Sequence, residues 1–345
     1  MKPKVRVYIT IDTECAEERG TSAPPLGWDV RVWGRFQNQQ RSLGIELIMD
    51  ELARHSTRAT FFTEALGSAF FGEDELARVC TAMLAGGHDV QLHTHPRQAR
   101  ANYRSLGIAP ASDDIADYDV ETQTALLREG LAVLVRCGVP KETLLGFRAG
   151  NYGANNATWE AMARVGLVVS SNYNPCYFDK NCKMRADGAS AGLFWADHGV
   201  WELPITTFVE RGGGHRHAQI TAVSTGELRA LLDDAYRTGL TEITIVTHSF
   251  ELYHVDSVSP PRGRPNTMNV LRLRALCRYL AEHPERYEVD TVGALARRIK
   301  DGTERPSPSP GIPVLRGHDR HKLVRLVEQT YKRIEARAGW SPPVV

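Results

Sequence analysis

From residue 5 to residue 300 the chain alternates between short, β-branched apolar runs and stretches of helical period, and that alternation leaves few folds open. The pattern predicts strands at 5–11, 58–63, 89–93, 144–148, 167–170, 200–205, 243–248 and 287–289. It predicts helices at 44–55, 73–84, 120–137, 159–165, 225–237, 270–282 and 292–300. Strands separated by helices are joined by right-handed crossovers and lie parallel. Seven or eight such units suit a closed barrel better than an open sheet. Residues 97–119 and 249–266 read as long loops after strands, where function or mobility concentrates.

Several function classes fall away. A formal net charge of +1 gives no electrostatic reason to expect nucleic acid or an anionic membrane as the main partner. No glycine-rich phosphate-binding fingerprint follows a strand. The cysteines at 15, 80, 137, 176, 182 and 277 form no CxxC pair and read as free thiols. The chain runs from MKPK straight into a strand, and no stretch approaches the ~20 apolar residues of a membrane span, so a cytoplasmic location is expected. The composition changes after Lys300. Residues 1–300 form the predicted barrel domain, and 301–345 a proline-rich connector followed by an amphipathic helix at 321–337. Its stripe of Leu323, Leu326, Val327, Tyr331 and Ile334 suits docking on the barrel, with dimerisation into a homo-oligomer as the alternative.

In parallel barrels the reacting groups sit where strands end. Here ITIDTE brings Asp12 and Glu14, DVQLHTHP brings His93 and His95, GFRAGNY brings Arg148, and TIVTHS brings His248. Residues i and i+2 of a strand share a side, so Asp12 and Glu14, and His93 and His95, can each aim at one centre. Two imidazoles and a carboxylate suit a divalent ion with an open position. Zn2+ fits best, while Co2+, Ni2+, Mn2+ or Fe2+ use similar donors. Each residue also has a bland explanation. Asp12 can cap a helix, Arg148 can pair with Asp197 or Glu202, His248 can be a satisfied core histidine, and His88 a structural one. His215 and His217 repeat the HxH spacing within GGGHRHAQ and read as a solvated loop.

The ordered set of ITIDTE, ATFF, GGHDVQLHTHP, FRAGNYG, WELPIT and TIVTHS resembles the polysaccharide deacetylase family of carbohydrate esterases, over most of residues 4–300. The resemblance implies an α/β fold, a distorted (β/α)7-type barrel, and removal of an N-acetyl group from an amino sugar, perhaps nucleotide- or lipid-linked. The D-x-E and H-x-H layout departs from the family's adjacent aspartates and wider histidine spacing. By alignment Asp12 is the base and Glu14, His93 and His95 bind the metal, with a swap of Asp12 and Glu14 still open. Arg148 then orients Asp12, His248 is the acid, and the backbone near Tyr152 faces the carbonyl oxygen. Tyr152, Asn151, Trp28 and Trp33 are the candidates for holding the sugar. Another metal amidohydrolase, acting on a formyl group or a cyclic amide, or an inactive sugar-binding relative, remains the alternative.

Overall fold

The strands, in a computed structural model that describes residues 2–16, 25–108, 112–209, 214–307, 315–316 and 319–342, are as follows. They are β1 (Val5–Thr13), β2 (Thr60–Glu64), β3 (Asp89–Thr94), β4 (Gly146–Ala149), β5 (Val169–Ser170), β6 (Phe194–Trp195) and β7 (Trp201–Glu202). Next come β8 (Thr207–Val209), β9 (His215–His217), β10 (Glu242–His248), β11 (Tyr253–Val258), β12 (Pro261–Pro265), β13 (Tyr287–Asp290) and β14 (Leu315–Arg316).

β10, β1, β2, β3, β4, β5 and β7 pair in that order and run parallel, with β6 antiparallel at the far edge. This is the expected α/β barrel, and it is distorted in a definite way. Among the described residues, no strand ladder joins β7 to β10. Instead the chain beyond β7 bridges the gap: Val246 donates its N–H to the Ala218 carbonyl at 2.9 Å, Ile220 returns one to Val246 at 3.0 Å, and Thr244 donates to the Thr206 hydroxyl at 2.8 Å. β1 is held on both edges. β10 pairs with it from Arg6 to Asp12, while β13 takes the first half of its other edge and β2 the second.

Alternation along β1 sorts two cores. Val5, Val7, Ile9 and Ile11 face the surrounding helices in the main apolar cluster. Tyr8 faces the interior and packs with Phe62, Val169, Leu203 and Val292. Val292 opens the Val292–Lys300 helix, whose Leu295 and Ala296 join the same inner cluster and close the lower end of the barrel. Above that apolar floor the interior turns polar, through Thr10 and Arg148 up to Asp12.

Three expectations need correction. Residues 249–266 include the antiparallel hairpin of β11 and β12 rather than an open loop. His215–His217 is strand β9, paired with β8, and His217 is buried rather than solvated. The C-terminal helix (Asp319–Ala338) turns its apolar stripe outward and meets the barrel with charged side chains. Arg272, with no exposure, bonds Glu328 at 2.8 Å, and Arg325 bonds Glu227 at 2.7 Å. A burial rule based on hydrophobicity misses this docking face, because paired charges supply it. Residues 308–314 and 317–318 of the proline-rich connector lie outside the described residues. The six cysteines are unbridged. No described helix is long and apolar enough to cross a membrane.

Candidate active site

Register delivers the site. Asp12 lies directly beside His248 across the β1–β10 ladder, and His93 beside Arg148 across β3–β4. All of them sit at the C-terminal ends of their strands, where a parallel barrel opens. There a cavity of about 170 Å³ is lined by Asp12, Glu14, His93, His95, Asn151, Tyr152 and His248, with Tyr177, Asn181 and Gln219 added by loops. A larger cleft of about 570 Å³ lies at the opposite end, around Arg58, His88, Asp89 and Asp290, and shares none of these residues.

Glu14, His93 and His95 converge. One Glu14 oxygen is 2.7 Å from His95 Nε2 and 3.4 Å from His93 Nε2. One donor atom from each of the three falls within 4.8 Å of the others, a spacing that one divalent ion can span. Both rings are held from behind: His93 Nδ1 bonds the Arg148 carbonyl at 2.8 Å, and His95 Nδ1 bonds an Asp113 oxygen at 2.8 Å. Anchoring Nδ1 turns Nε2 toward the shared centre, as metal-binding imidazoles require. The donor set therefore fits a metal. Burial alone would raise the Glu14 carboxyl, but His95 and His93 beside it hold its pKa well below the usual range. Burial likewise opposes a charged His95, while Glu14 and Asp113 push its pKa well up.

Gly150 permits this packing. A Cβ there would meet the His95 ring at 2.4 Å, so the glycine of FRAGNYG lets the imidazole pass over bare backbone. The next two residues, Asn151 and Tyr152, take φ of 56° and 54°, a left-handed conformation that side chains disfavour. Two adjacent strained residues at a cavity wall mark a place where function outweighs local comfort.

Two polar pairs flank the histidines. Arg148, fully buried over the Phe62 ring, donates to Asp12 at 2.7 Å and to the Thr10 and Ser171 hydroxyls at 2.9 Å each. Its partner is thus Asp12. Asp197 lies at the surface beside His198, and Glu202 accepts from the Asn172 and Tyr173 N–H groups and the Trp159 indole. On the other flank His248 Nδ1 meets Glu251 at 2.9 Å, and its Nε2 lies 3.9 Å from Asp12. Burial would lower the His248 pKa, but Glu251, then Asp12 and Glu14, raise it to about 9. The upward shift favours the imidazolium, and His248 is paired within the cavity rather than sitting alone in the core.

Trp28 and Trp33 are buried away from the cavity, and the Trp28 indole bonds the Gly72 carbonyl at 3.1 Å. Neither offers a face to a ligand. His88 is structural, accepting from the Ala59 N–H at 3.3 Å. The site also holds residues that sequence reading did not single out. Asp113, Asn181 and Gln219 come from loops, where no periodicity points inward. His217, noted in the sequence for its HxH spacing but expected in a solvated loop, stacks on Tyr177 at 5.6 Å and bonds Gln219 at 2.6 Å behind the cavity wall. Only Glu251 left a trace, three residues past His248 at a strand end.

No known family profile and no curated protein matches the chain. Among solved structures it is similar to a putative polysaccharide deacetylase from Mycobacterium smegmatis, at 17% identity and a TM-score of 0.51, covering 79% of this chain and 82% of that one. Weaker likenesses include a family 4 carbohydrate esterase from Streptomyces lividans in complex with acetate (12% identity, TM-score 0.39, covering 82% and 90%) and a peptidoglycan deacetylase from Bacillus subtilis (11%, 0.40, covering 87% and 93%). The chain has the polysaccharide deacetylase fold. At these identities the likeness extends to the fold alone.

Proposed function

We propose that the protein is a metal-dependent hydrolase that removes the acetyl group from an N-acetylated amino sugar. The observation that carries this reading is the convergence, in one small cavity, of a Glu–His–His ligand set, an Arg-held aspartate and a Glu-held histidine. Glu14, His93 and His95 hold one divalent cation, most suitably zinc. Such a cation, when bound, lowers the pKa of water and polarises an acyl carbonyl. Asp12 takes the proton of the attacking water. The hydrogen bond from Arg148 fixes its aim. That contact, and the nearness of Glu14 to both imidazoles, support Asp12 as base and Glu14 as ligand rather than the reverse. His248 faces Asp12 and enters the reaction charged, so it gives its proton to the departing amine nitrogen. The backbone of Tyr152 lies beside the acyl oxygen, and Asn151, Asn181 and Gln219 offer amides to sugar hydroxyls at the mouth.

The test combines metal analysis with acetate release from N-acetylated chito-oligosaccharides. Replacing His93 and His95 together by alanine abolishes metal binding and turnover. His248→Ala keeps the metal and loses about 10²–10⁴ in kcat, the range of a general acid. Undiminished turnover by either variant, or by protein stripped of metal, overturns the reading.

A further inference from the structure

The C-terminal helix turns Glu328 and Glu335 to the barrel. Glu328 accepts from the Thr225 N–H at 3.3 Å and Glu335 from the Thr267 N–H at 3.1 Å, so each carboxylate caps the positive N-terminus of a barrel helix. Both capped helices start at the cavity's end of the barrel. One follows the segment that bridges to β10, and the other follows the β11–β12 hairpin. The helix also touches the site's supports: Gln329 donates to the Thr221 carbonyl at 3.2 Å, and Thr221 bonds Glu251.

The outward face is left apolar and basic. Leu323 and Val327 are each 69% exposed, Leu326 62%, Ile334 60%, and Trp340, just past the helix, 65%. Arg333 and Arg337 are exposed beside them, and no acidic side chain among the described residues of the helix is exposed there. A row of apolar residues with an aromatic at its end and exposed arginines on the same helix is the pattern of a helix lying in a headgroup layer.

We propose that this face docks on an anionic lipid bilayer, with the helix in the plane of the headgroups. A second copy of the chain fits it less well. A 20-residue helix presents a face of only about 30 by 10 Å, well under the ~800 Å² per partner of a stable dimer. A two-fold pairing would also set the arginines of both copies along one seam with no carboxylate to offset them. Binding to lipid does not depend on the hydrolase reading. Where both hold, the cavity works at a membrane surface, and its glycan is lipid-linked or membrane-adjacent.

The full chain is sedimented with vesicles of phosphatidylcholine, and with vesicles of equimolar phosphatidylcholine and phosphatidylglycerol. It pellets with the anionic vesicles only, less so as salt is raised. The Leu326→Glu/Ile334→Glu variant loses at least about tenfold in bound fraction, with unchanged melting and unchanged turnover of a soluble substrate. Arg333→Gln/Arg337→Gln, which removes charge and leaves the apolar row, weakens binding and flattens its salt dependence. Absence of pelleting, equal pelleting with both vesicles, or a stable solution dimer that the Leu326→Glu/Ile334→Glu variant dissociates overturns the proposal.

Discussion

His248 and Glu251 show how one pair decides when a site works. Burial disfavours a charged imidazole, yet the carboxylate 2.9 Å away, with Asp12 and Glu14 behind it, raises the His248 pKa to about 9. With His248 as the proposed acid, the imidazolium is the active form, so the alkaline limb of kcat/KM falls as pH rises through that value. In the Glu251→Gln variant the largest attraction for the proton is gone, so the falling limb moves to lower pH and turnover drops at least about tenfold. A pH–rate profile of the metal-loaded variant checks this, and an unmoved limb excludes Glu251 as the positioning residue. Asp12, Glu14, His93, His95, Arg148 and His248 were legible in the sequence because strand ends and i, i+2 spacing fix their direction. Asp113, Asn181 and Gln219 were not, since a loop residue's aim depends on tertiary closure. Trp28 misled because an aromatic residue near a motif says nothing about which way its ring turns.

Among elements, long ones with strong periods were readable and short ones were not. The Val120–Arg136 helix matches its expected range closely. β5, β6 and β7 have two residues each and exist only because neighbours pair with them. The hairpin of β11 and β12 carries polar and proline residues that dilute any alternation. The C-terminal helix was foreseen as amphipathic but assigned the wrong docking face, since sequence does not reveal that its charges have buried partners. Those partners make a strong prediction. Arg272→Met leaves the Glu328 carboxylate facing the barrel without its guanidinium, at a cost of about 3–5 kcal/mol. Arg272→Met with Glu328→Leu recovers most of that loss, since removing both charges removes the uncompensated one. Urea denaturation of the two variants separates the outcomes, and equal stabilities contradict a buried pair.

At the scale of the whole molecule, the proposed ligands Glu14, His93 and His95 come from the ends of β1 and β3, so an ion bound there would tie distant parts of the chain together and add to folding stability. A metal at a thousandfold excess over its Kd contributes about 4 kcal/mol. Chelation should therefore lower Tm by about 5–10 °C, reversibly, and leave a His93→Ala/His95→Ala variant unmoved. Differential scanning calorimetry with and without chelator reads this directly. The barrel class was legible because alternating periods admit few topologies. Its open side was not, because the segment that bridges β7 to β10 does so through single hydrogen bonds that leave no periodic trace.

β1 is clasped along one edge by β10 and along the other by β13 and then β2. Its backbone amides between Val7 and Ile11 cannot open to solvent by fraying, only when the barrel comes apart. Deuterium should enter that stretch last of all, at the rate of global unfolding. Asp12 thus rides on the slowest-breathing strand of the protein and Glu14 follows directly after it, while Glu251 stands past the end of β10, held through side-chain hydrogen bonds rather than a ladder.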